Sequence, residues 1–293
     1  MTARRNVLFL LLAAVLSACG PSQAPRTMMS WNALKDGTPK TYTIDGYALT
    51  FSVREDEGDK TPLLHAKAPT GEEIDVSGVA GFSDISANFG IGKLDAGSTT
   101  EQVILSTFSG GAHCCTDVKV LTLTGGGWKT VEFGAWDGDG LSAFPADIDG
   151  DGYADFVFSD DRFAYAFTDY ADSYMPPRIF QIHGTEAMEF SQSKSFHMLF
   201  EKDMHEAEGG CIKHNNGACA AYAADAARLG QFDRAWDMVL KNYDPKSDWI
   251  YPTKCNAAVG ESGRCPKDQE VKFANFPDAL MWFLADTGYI AAK

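Results

Sequence analysis

The sequence has few basic residues for its length, and it contains only one long apolar run. Its 293 residues include 25 Lys and Arg against 40 Asp and Glu, which gives a formal charge of −15. This charge argues against nucleic acid as a partner, because phosphate contacts require a basic surface. A single apolar run excludes a polytopic membrane protein. With 45% apolar and 22% charged residues, the chain is expected to be globular, with one large or two ordinary domains.

The sequence also lacks the motifs by which common enzyme classes are recognised. It contains no Gly-x-Ser-x-Gly, no phosphate loop, no dinucleotide fingerprint and no His-Glu-x-x-His. These absences favour a binding or structural role over catalysis.

The N-terminus has the parts of a bacterial processing segment. Arg4 and Arg5 precede an apolar core at residues 7–16, which is too short to span a bilayer. Residues 16–19, Leu-Ser-Ala-Cys, resemble the lipobox of bacterial lipoproteins. The resemblance implies cleavage before Cys19, a lipid on the Cys19 thiol and, because Gly20 is not an aspartate, delivery to the outer membrane. An ordinary secretory signal is the alternative.

Composition and periodicity divide the chain into four segments. Residues 1–18 are the predicted signal peptide, and residues 19–30 are a predicted flexible tether. Cleavage removes two arginines and no acidic residue, so the formal charge becomes −17. Residues 31–190 are a predicted β domain and residues 191–293 a predicted helical domain. The expected fold class is α+β, with a mostly antiparallel β domain followed by a small helical one.

Alternating apolar residues predict strands throughout the first domain. Asp45-Gly46 between two alternating runs predicts a hairpin, and no helix is expected before residue 190. Further runs predict strands at residues 103–105, 118–123, 128–133, 155–158 and 163–167. A faint repeat, offset by 54 residues, sets Asp149 against Asp95. Two copies are too few for a closed propeller, so we expect partial propeller-like or sandwich-like sheet units.

After residue 190 the apolar period becomes helical. Two helices are predicted around Gly230, and a third runs from Pro277 to Gly288. The pair at residues 218–243 resembles one tetratricopeptide or Sel1-type helix pair. A single copy cannot build the peptide-binding groove of those arrays, which need about three repeats.

The most specific motif is an aspartate-rich loop at residues 147–155. Ca²⁺ takes about six to eight oxygen ligands, and this spacing supplies most of them. Phe158 stands where an EF-hand has a glutamate, and a predicted strand follows the loop directly. The loop resembles the calcium loop of FG-GAP (VCBS) repeats, the blade unit of integrin-α-like propellers. The expected ligands are the carboxylates and one backbone carbonyl of Asp147, Asp149, Asp151, Tyr153 and Asp155. An acidic turn without metal is the alternative.

The cysteines predict a disulfide framework. If Cys19 carries the lipid, six cysteines remain, and an even number in an oxidising compartment indicates disulfides. Cys211 with Cys219, and Cys255 with Cys265, would close short loops. These pairs would leave Cys114 and Cys115 to each other, in a strained vicinal bridge. In the alternative framework, two bridges would tie the β domain to the helical one. The connectivity stays open.

Several other residues could carry chemistry. His113, Cys114 and Cys115 suggest a periplasmic thiol-redox or metal-handling centre. A calcium-dependent hydrolase would draw on Asp137, Asp139, Asp160 and Asp161. His205, Cys211 and His214 could bind zinc or copper with His113, although a disulfide is the commoner outcome for such a cysteine. Aromatic residues at 163–174 would either stack on a glycan or form one core face.

The leading hypothesis from the sequence is a lipid-anchored protein of the bacterial envelope. It would act as a calcium-stabilised binding or structural module. Its partners would be the membrane, through the lipid on Cys19, and an envelope protein or a glycan.

The lipid anchor can be tested by fractionation. Replacing Cys19 with serine removes the only thiol that could carry the lipid, so we expect Cys19→Ser to abolish retention in the outer membrane. The measurement is an immunoblot of membrane and soluble fractions. A Ser variant that fractionates like the parent would contradict the lipoprotein assignment.

Overall fold

The computed structural model describes residues 26–81, 84–111, 114–138, 141–258 and 264–291. Within these ranges the first two thirds of the chain form antiparallel strands and the remainder is mainly helical, so the fold class is α+β, as the sequence predicts. The strands are β1 Met29–Asn32, β2 Lys40–Ile44, β3 Tyr47–Asp56, β4 Asp59–Lys67, β5 Glu73–Ser77, β6 Ser86–Gly92, β7 Gln102–Phe108, β8 Cys114–Thr124, β9 Gly127–Asp137, β10 Phe156–Ser159, β11 Pro177–His183, β12 Glu186–Glu189, β13 Lys254–Cys255 and β14 Glu270–Val271.

Three antiparallel sheets form the β region. The order of the five-stranded sheet is β1-β6-β7-β8-β9, that of the four-stranded sheet is β2-β3-β4-β5, and that of the three-stranded sheet is β10-β11-β12. The predicted hairpin is confirmed between β2 and β3. Asp45 and Gly46 both have positive φ, 48° and 82°, which is the backbone that a two-residue hairpin turn with right-handed strand twist requires.

The five-stranded sheet is the central layer, because it is covered on both faces. Side chains alternate across a strand, and Val103 and Leu105 of β7 pack with the four-stranded sheet, whereas Ile104 packs with the three-stranded sheet. The stacked arrangement agrees with the sandwich-like alternative of the sequence prediction.

The N-terminal part of the described chain is held against this layer. Arg26 forms ion pairs with Asp45 and Glu101, and Met29 already begins β1. Residues 26–30 of the predicted tether are therefore packed on the β region, while residues 19–25, with Cys19, lie outside the described residues.

One predicted strand is wrong. Residues 163–167 do not form a strand. Instead Asp161–Phe163 forms a 3₁₀ turn, capped by the side chain of Asp160, and Tyr165 has a φ of 58°. Phe163 and Phe167 are buried in the helical core, whereas Tyr165 is 51% exposed. The alternation of aromatic residues arises here because Phe163 and Phe167 enter the helical core from an irregular segment, and not because they line one face of a sheet.

Five helices are present in the described chain: α1 Ala33–Asp36, α2 His197–Ile212, α3 Asn216–Arg228, α4 Phe232–Asn242 and α5 Phe276–Asp286. The short α1 precedes residue 190, contrary to the prediction. Helix α2 was not predicted, because its buried residues are few and separated by charged ones. Helices α3, α4 and α5 match the predicted positions. Gly230 and Gly288 follow helix ends at φ of 69° and 81°, values that favour glycine.

Helix α3 is the centre of the helical core. It is almost wholly buried, because its alanines let α2, α4 and α5 approach closely. Among the described residues, no helix combines the length and apolar character needed to cross a membrane.

Two disulfides link the cysteine pairs that close short loops in sequence. Cys211 is bonded to Cys219 between α2 and α3, and Cys255 is bonded to Cys265 beside β13. Cys115 is also disulfide-bonded. The side chain of Cys114 and the whole of His113 lie outside the described residues, so the vicinal bridge stays a prediction.

A buried polar network joins the sheets to the helices. Asp160, which is fully buried, accepts hydrogen bonds from Arg162 and from the Tyr289 hydroxyl at 2.9 Å. Arg228 of α3 donates to the carbonyl of Pro177 in β11 at 2.7 Å, and its guanidinium lies over the Tyr289 ring at 4.4 Å. Residues from β11, the turn after β10, α3 and the segment after α5 are thereby fixed to one another.

Asp225 of α3 is a buried acid without a donor. Both of its carboxylate oxygens are buried, and no N–H or hydroxyl group of the described residues donates to them. Burial raises the pKa of Asp225 well above its ordinary value. The charge of the Asp203 carboxylate, and a hydrogen bond shared with it, raise the pKa further, while Arg228 opposes the shift. The folded state therefore favours a proton on this carboxyl.

The disulfide beside β13 should contribute measurably to stability. It closes a short loop with a sequence separation of 10, so we expect the double variant Cys255→Ala, Cys265→Ala to lower the free energy of unfolding by about 2.5 kcal/mol. Urea denaturation monitored by circular dichroism measures this change. An unchanged midpoint would show that the bridge does not constrain the unfolded chain.

Asp225 should make stability depend on pH. Because its pKa is raised in the folded state, the folded chain holds a proton that the unfolded chain has lost. The free energy of unfolding should thus fall as the pH rises above the pKa that Asp225 has in the unfolded chain, by at most about 1.4 kcal/mol per pH unit. Asp225→Asn should reduce this slope, as measured by urea denaturation from pH 4 to pH 8. Equal slopes in parent and variant would contradict the assignment.

Candidate metal loop

The aspartate-rich loop is a closed turn that leads directly into β10. Its ends pair through an isolated antiparallel bridge between Ala146 and Asp155, with the Asp155 amide donating to the Ala146 carbonyl at 2.8 Å. Gly150 and Gly152 have φ of 81° and 91°, so the chain can turn twice within five residues. The sequence prediction of a loop followed by a strand is correct here.

The loop aspartates are oriented by backbone amides of the same loop. Asp147 accepts from the amides of Gly150 at 2.7 Å and Gly152 at 3.0 Å. Asp149 accepts from the amide of Asp151 at 3.2 Å, and Asp151 accepts from the amide of Tyr153 at 2.8 Å. These hydrogen bonds hold the carboxylates towards the inside of the turn.

Three of the predicted ligands converge. Asp147, Asp149 and Asp151 each offer a carboxylate oxygen, and these oxygens lie within 4.8 Å of one another. In the part of the chain that the structure describes, no other group of three or more acidic, histidine or cysteine side chains meets this criterion. A donor set made of oxygens suits a hard cation such as Ca²⁺.

Asp155 differs from the other three because it is buried. Only 2% of the residue is exposed, and its oxygens accept from the Ile148 amide at 2.7 Å and the Gln181 amide group at 2.8 Å. Burial raises the pKa of Asp155, hydrogen bonds from Gln181 and Ile148 lower it, and the charges of Asp149 and Asp151 raise it. Asp155 thus anchors the base of the loop to β11, and it is not one of the three carboxylates that converge.

Gln181 is a site residue that the sequence reading missed. Its side-chain nitrogen donates to Asp155 and also to Asp151 at 3.1 Å, so one amide bridges two loop carboxylates. His183, two residues later on β11, contacts Gln181 at 3.1 Å and stacks on Tyr153 with ring centroids 4.1 Å apart. The sequence signal that could have indicated Gln181 is a single polar residue between the apolar residues Phe180 and Ile182.

The two copies of the faint repeat lie against each other. The Ala154 amide donates to the Leu94 carbonyl at 2.9 Å, and a side chain at Gly152 would press on Ala96 at 3.3 Å. In the earlier copy Asp95 does not face an acidic cluster. Its oxygens accept from the amides of Gly97 at 2.7 Å and Gly184 at 2.8 Å, which ties this loop to the β11–β12 turn.

Several residues of the alternative hypotheses are already engaged. The sulfur of Cys211 is in a disulfide, and the His214 ring is bonded to the Asn242 carbonyl at 2.6 Å, so these two members of the zinc or copper set have other partners. Asp160 is bonded to Arg162 and Tyr289. Asp139 and His113 lie outside the described residues.

Asp137 and Asp161 occupy the far end of the same sheets. Asp137 accepts a hydrogen bond from Tyr170, which raises the pKa of Tyr170 to about 12. Burial raises the pKa of Asp161, and the charges of Asp160 and Asp137 raise it further. Asp137, Asp160 and Asp161 are therefore close enough to interact electrostatically. Two of them already have hydrogen-bond partners, Tyr170 for Asp137 and both Arg162 and Tyr289 for Asp160.

Comparison with known proteins finds one family model, which matches the helical region, and relatives whose alignments extend over most of the chain. Residues 195–288 match a family model described as the sll0997 C-terminal domain. A "Probable thylakoid lumen protein sll0997" of Synechocystis sp. (strain ATCC 27184 / PCC 6803 / Kazusa) is 36% identical over 213 residues, which cover 69% of this chain and 60% of that protein. No solved structure matches.

A second relative aligns with more of the chain. The "Uncharacterized protein y4bJ" of Sinorhizobium fredii (strain NBRC 101917 / NGR234) is 31% identical over 277 residues, which cover 92% of this chain but 43% of that protein. The chain thus spans about half the length of these two curated relatives.

Proposed function

We propose that this protein acts outside the cytoplasm, as a binding or structural module of the bacterial envelope whose β region is stabilised by calcium. The observation that carries the proposal is the convergence of the carboxylates of Asp147, Asp149 and Asp151 in one loop. The extracytoplasmic location is supported by the disulfides and by the name of the relative, which assigns that relative to a thylakoid lumen.

The proposed anchor is a lipid on Cys19, as the resemblance to a lipobox implies. The net charge of the protein favours attachment to the membrane through a lipid over electrostatic attachment. A mature chain with a formal charge of −17 is repelled by an anionic membrane surface, so affinity for the membrane has to come from the acyl chains. The proposed location is the outer membrane, with the folded region held beside it.

The proposed ion ligands are the three converging carboxylates, Asp155 and the carbonyl of Tyr153. Three acidic groups within a few ångströms repel one another, and a divalent cation would replace that repulsion with attraction. The loop packs on Leu94 and Ala96 and is bonded to β11, so an ion here would brace the contact between the central and the three-stranded sheets. Its role would be structural, because it would fix the loop between these two sheets.

Calcium should raise the melting temperature through this loop. An ion that binds only the folded state stabilises it by about 2.7 kcal/mol at a hundredfold excess over its dissociation constant. We expect chelation to lower the melting temperature, and Asp149→Ala to abolish the response to added Ca²⁺, because the loop loses a central carboxylate. Mg²⁺ should substitute poorly, since it requires a tighter octahedral shell. Differential scanning calorimetry at fixed ionic strength measures each effect.

The matched control is Asp169→Ala. Asp169 is an exposed aspartate that also accepts a backbone hydrogen bond within its own loop, from Asp172 at 3.0 Å, but it lies outside the acidic cluster. The control should keep the full response to calcium. No calcium effect on the parent, or an equal loss in both variants, would contradict the proposed site.

A further inference from the structure

Helices α2 and α3 form an antiparallel hairpin that is closed covalently at one end. Residues 213–215 connect the two helices, and the disulfide between Cys211 and Cys219 ties the last turn of α2 to the first turn of α3. Near the other end, the Arg228 guanidinium lies over the Phe200 ring at 4.9 Å. The helices therefore cannot separate at the disulfide, whereas only non-covalent contacts hold them together at the open end.

Helix α2 is held in place by few apolar side chains. Of its 16 residues only Phe200, Ala207 and Cys211 are buried. Phe200 belongs to a small apolar cluster with Phe196, which precedes the helix, and Ile179 of β11. An element with little buried apolar surface opens at a lower cost in free energy than the rest of a protein. The docking of α2 is thus sensitive to the polar interactions at the open end of the hairpin.

Two aspartates, here called the acid pair, face each other between the helices near this open end. Asp203 lies about two turns before Cys211, and Asp225 lies about two turns after Cys219. Asp225 is fully buried, and no N–H or hydroxyl group of the described residues donates to its oxygens. Its hydrogen bond is shared with the Asp203 carboxyl group. Two carboxyl groups can share a hydrogen bond only while one of them carries a proton.

Arg228 faces the acid pair from α3, but its charge also serves other groups. It opposes the rise in the pKa of Asp225, and its guanidinium donates to the Pro177 carbonyl and lies 3.9 Å from Glu189, which is itself paired with Arg178. A single positive charge cannot offset two further carboxylates in one buried region. Loss of the shared proton would therefore leave negative charge between α2 and α3.

The other titratable groups around the acid pair do not replace the proton. Lys202 lowers the pKa of Asp203 and Glu206 raises it, but both side chains are exposed, so solvent weakens their effect. Burial holds the pKa of Tyr289 well above its ordinary value, and its hydroxyl already donates to Asp160. The remaining charged or titratable side chains of the turn after β10 and of α2, α4 and α5 are exposed or partly exposed: Asp161, Arg162, His197, Glu201, His205, Glu208, Asp233, Arg234, Asp237, Lys241, Asp278 and Asp286.

We propose that the acid pair is a pH-sensitive switch for the α2–α3 hairpin, which keeps α2 docked while it shares one proton and releases residues 197–207 when that proton is lost. The force is the repulsion of two buried carboxylates that no donor compensates. The movement is a rotation about the end held by Cys211 and Cys219, and it would uncover the apolar cluster around Phe200.

The direction of the response follows from which state binds the proton. Burial raises the pKa of Asp225 and of Asp203, so the docked hairpin keeps a proton at pH values at which exposed aspartates have lost theirs. Docking is complete at low pH and weakens as the pH rises through the pKa of the docked acid pair. This inference goes beyond the proposed function, because it concerns the helical region and does not require calcium.

Hydrogen–deuterium exchange of the full chain, with its disulfides intact, measures this opening helix by helix. The protein is compared at pH 5 and pH 8, and each rate is corrected for the intrinsic pH dependence of amide exchange. Asp225→Asn and Asp203→Asn each remove one charge and give the remaining carboxylate an amide donor. Because Asp203 is only partly buried, its variant keeps the test valid if Asp225→Asn fails to fold. Glu201→Gln is the control, since it removes an exposed negative charge from the same helix outside the acid pair.

We expect residues 197–207 of the parent to be protected at least tenfold less at pH 8 than at pH 5. Residues 209–220, next to the disulfide, and helix α5 should change less than twofold. Glu201→Gln should respond like the parent. Both asparagine variants should keep the protection of residues 197–207 within twofold between the two pH values, because an amide donates at either pH.

Three results would overturn the inference. The first is an unchanged protection of residues 197–207 in the parent. The second is an equal loss of protection in α2 and α5, which would show unfolding of the whole helical region. The third is the parent's pH response in a folded asparagine variant. His197 and His205 also titrate between pH 5 and pH 8 and are retained in these variants, so the third result would assign the response to them.

Discussion

The junction of Asp160, Tyr289 and Arg228 is the constraint on which the relation between sheets and helices depends. A buried carboxylate is costly unless it is paired and fully hydrogen-bonded. Asp160 meets this condition only when Arg162 and Tyr289 both reach it, and Arg228 beside them holds β11 through the Pro177 carbonyl. The sheets and the helices therefore form one packed unit, although the sequence changes from strand to helix periodicity near residue 190.

The periodicity of the sequence was sufficient for the fold class and for the elements with strong local signals. Asp45-Gly46 and the stops at Gly230 and Gly288 are positions where the backbone needs positive φ, and they were located correctly. Residues 163–167 were assigned wrongly, because two buried aromatic anchors at a turn imitate strand alternation. The apolar pattern does not predict helix α2, since only Phe200, Ala207 and Cys211 are buried along its 16 residues. A helix with so few buried residues has no clear apolar period, although its main partner, α3, follows it directly in sequence.

The candidate loop shows a similar division between local and distant information. Its aspartates are consecutive in sequence and could be read as a ligand set, but Gln181, which bridges Asp151 and Asp155, comes from a strand 26 residues beyond Asp155.

The contact between Tyr289 and Asp160 also concerns the order in which the chain is made and exported. The two residues are 129 positions apart, so Asp160 emerges long before the tyrosine that completes its hydrogen bonds. The complete set of hydrogen bonds to the buried Asp160 therefore forms only when the segment after α5 is present. A chain interrupted between Arg162 and Tyr289 keeps the Arg162 contact but lacks the tyrosine hydroxyl, so the acid at this boundary has fewer hydrogen bonds and local opening costs less free energy.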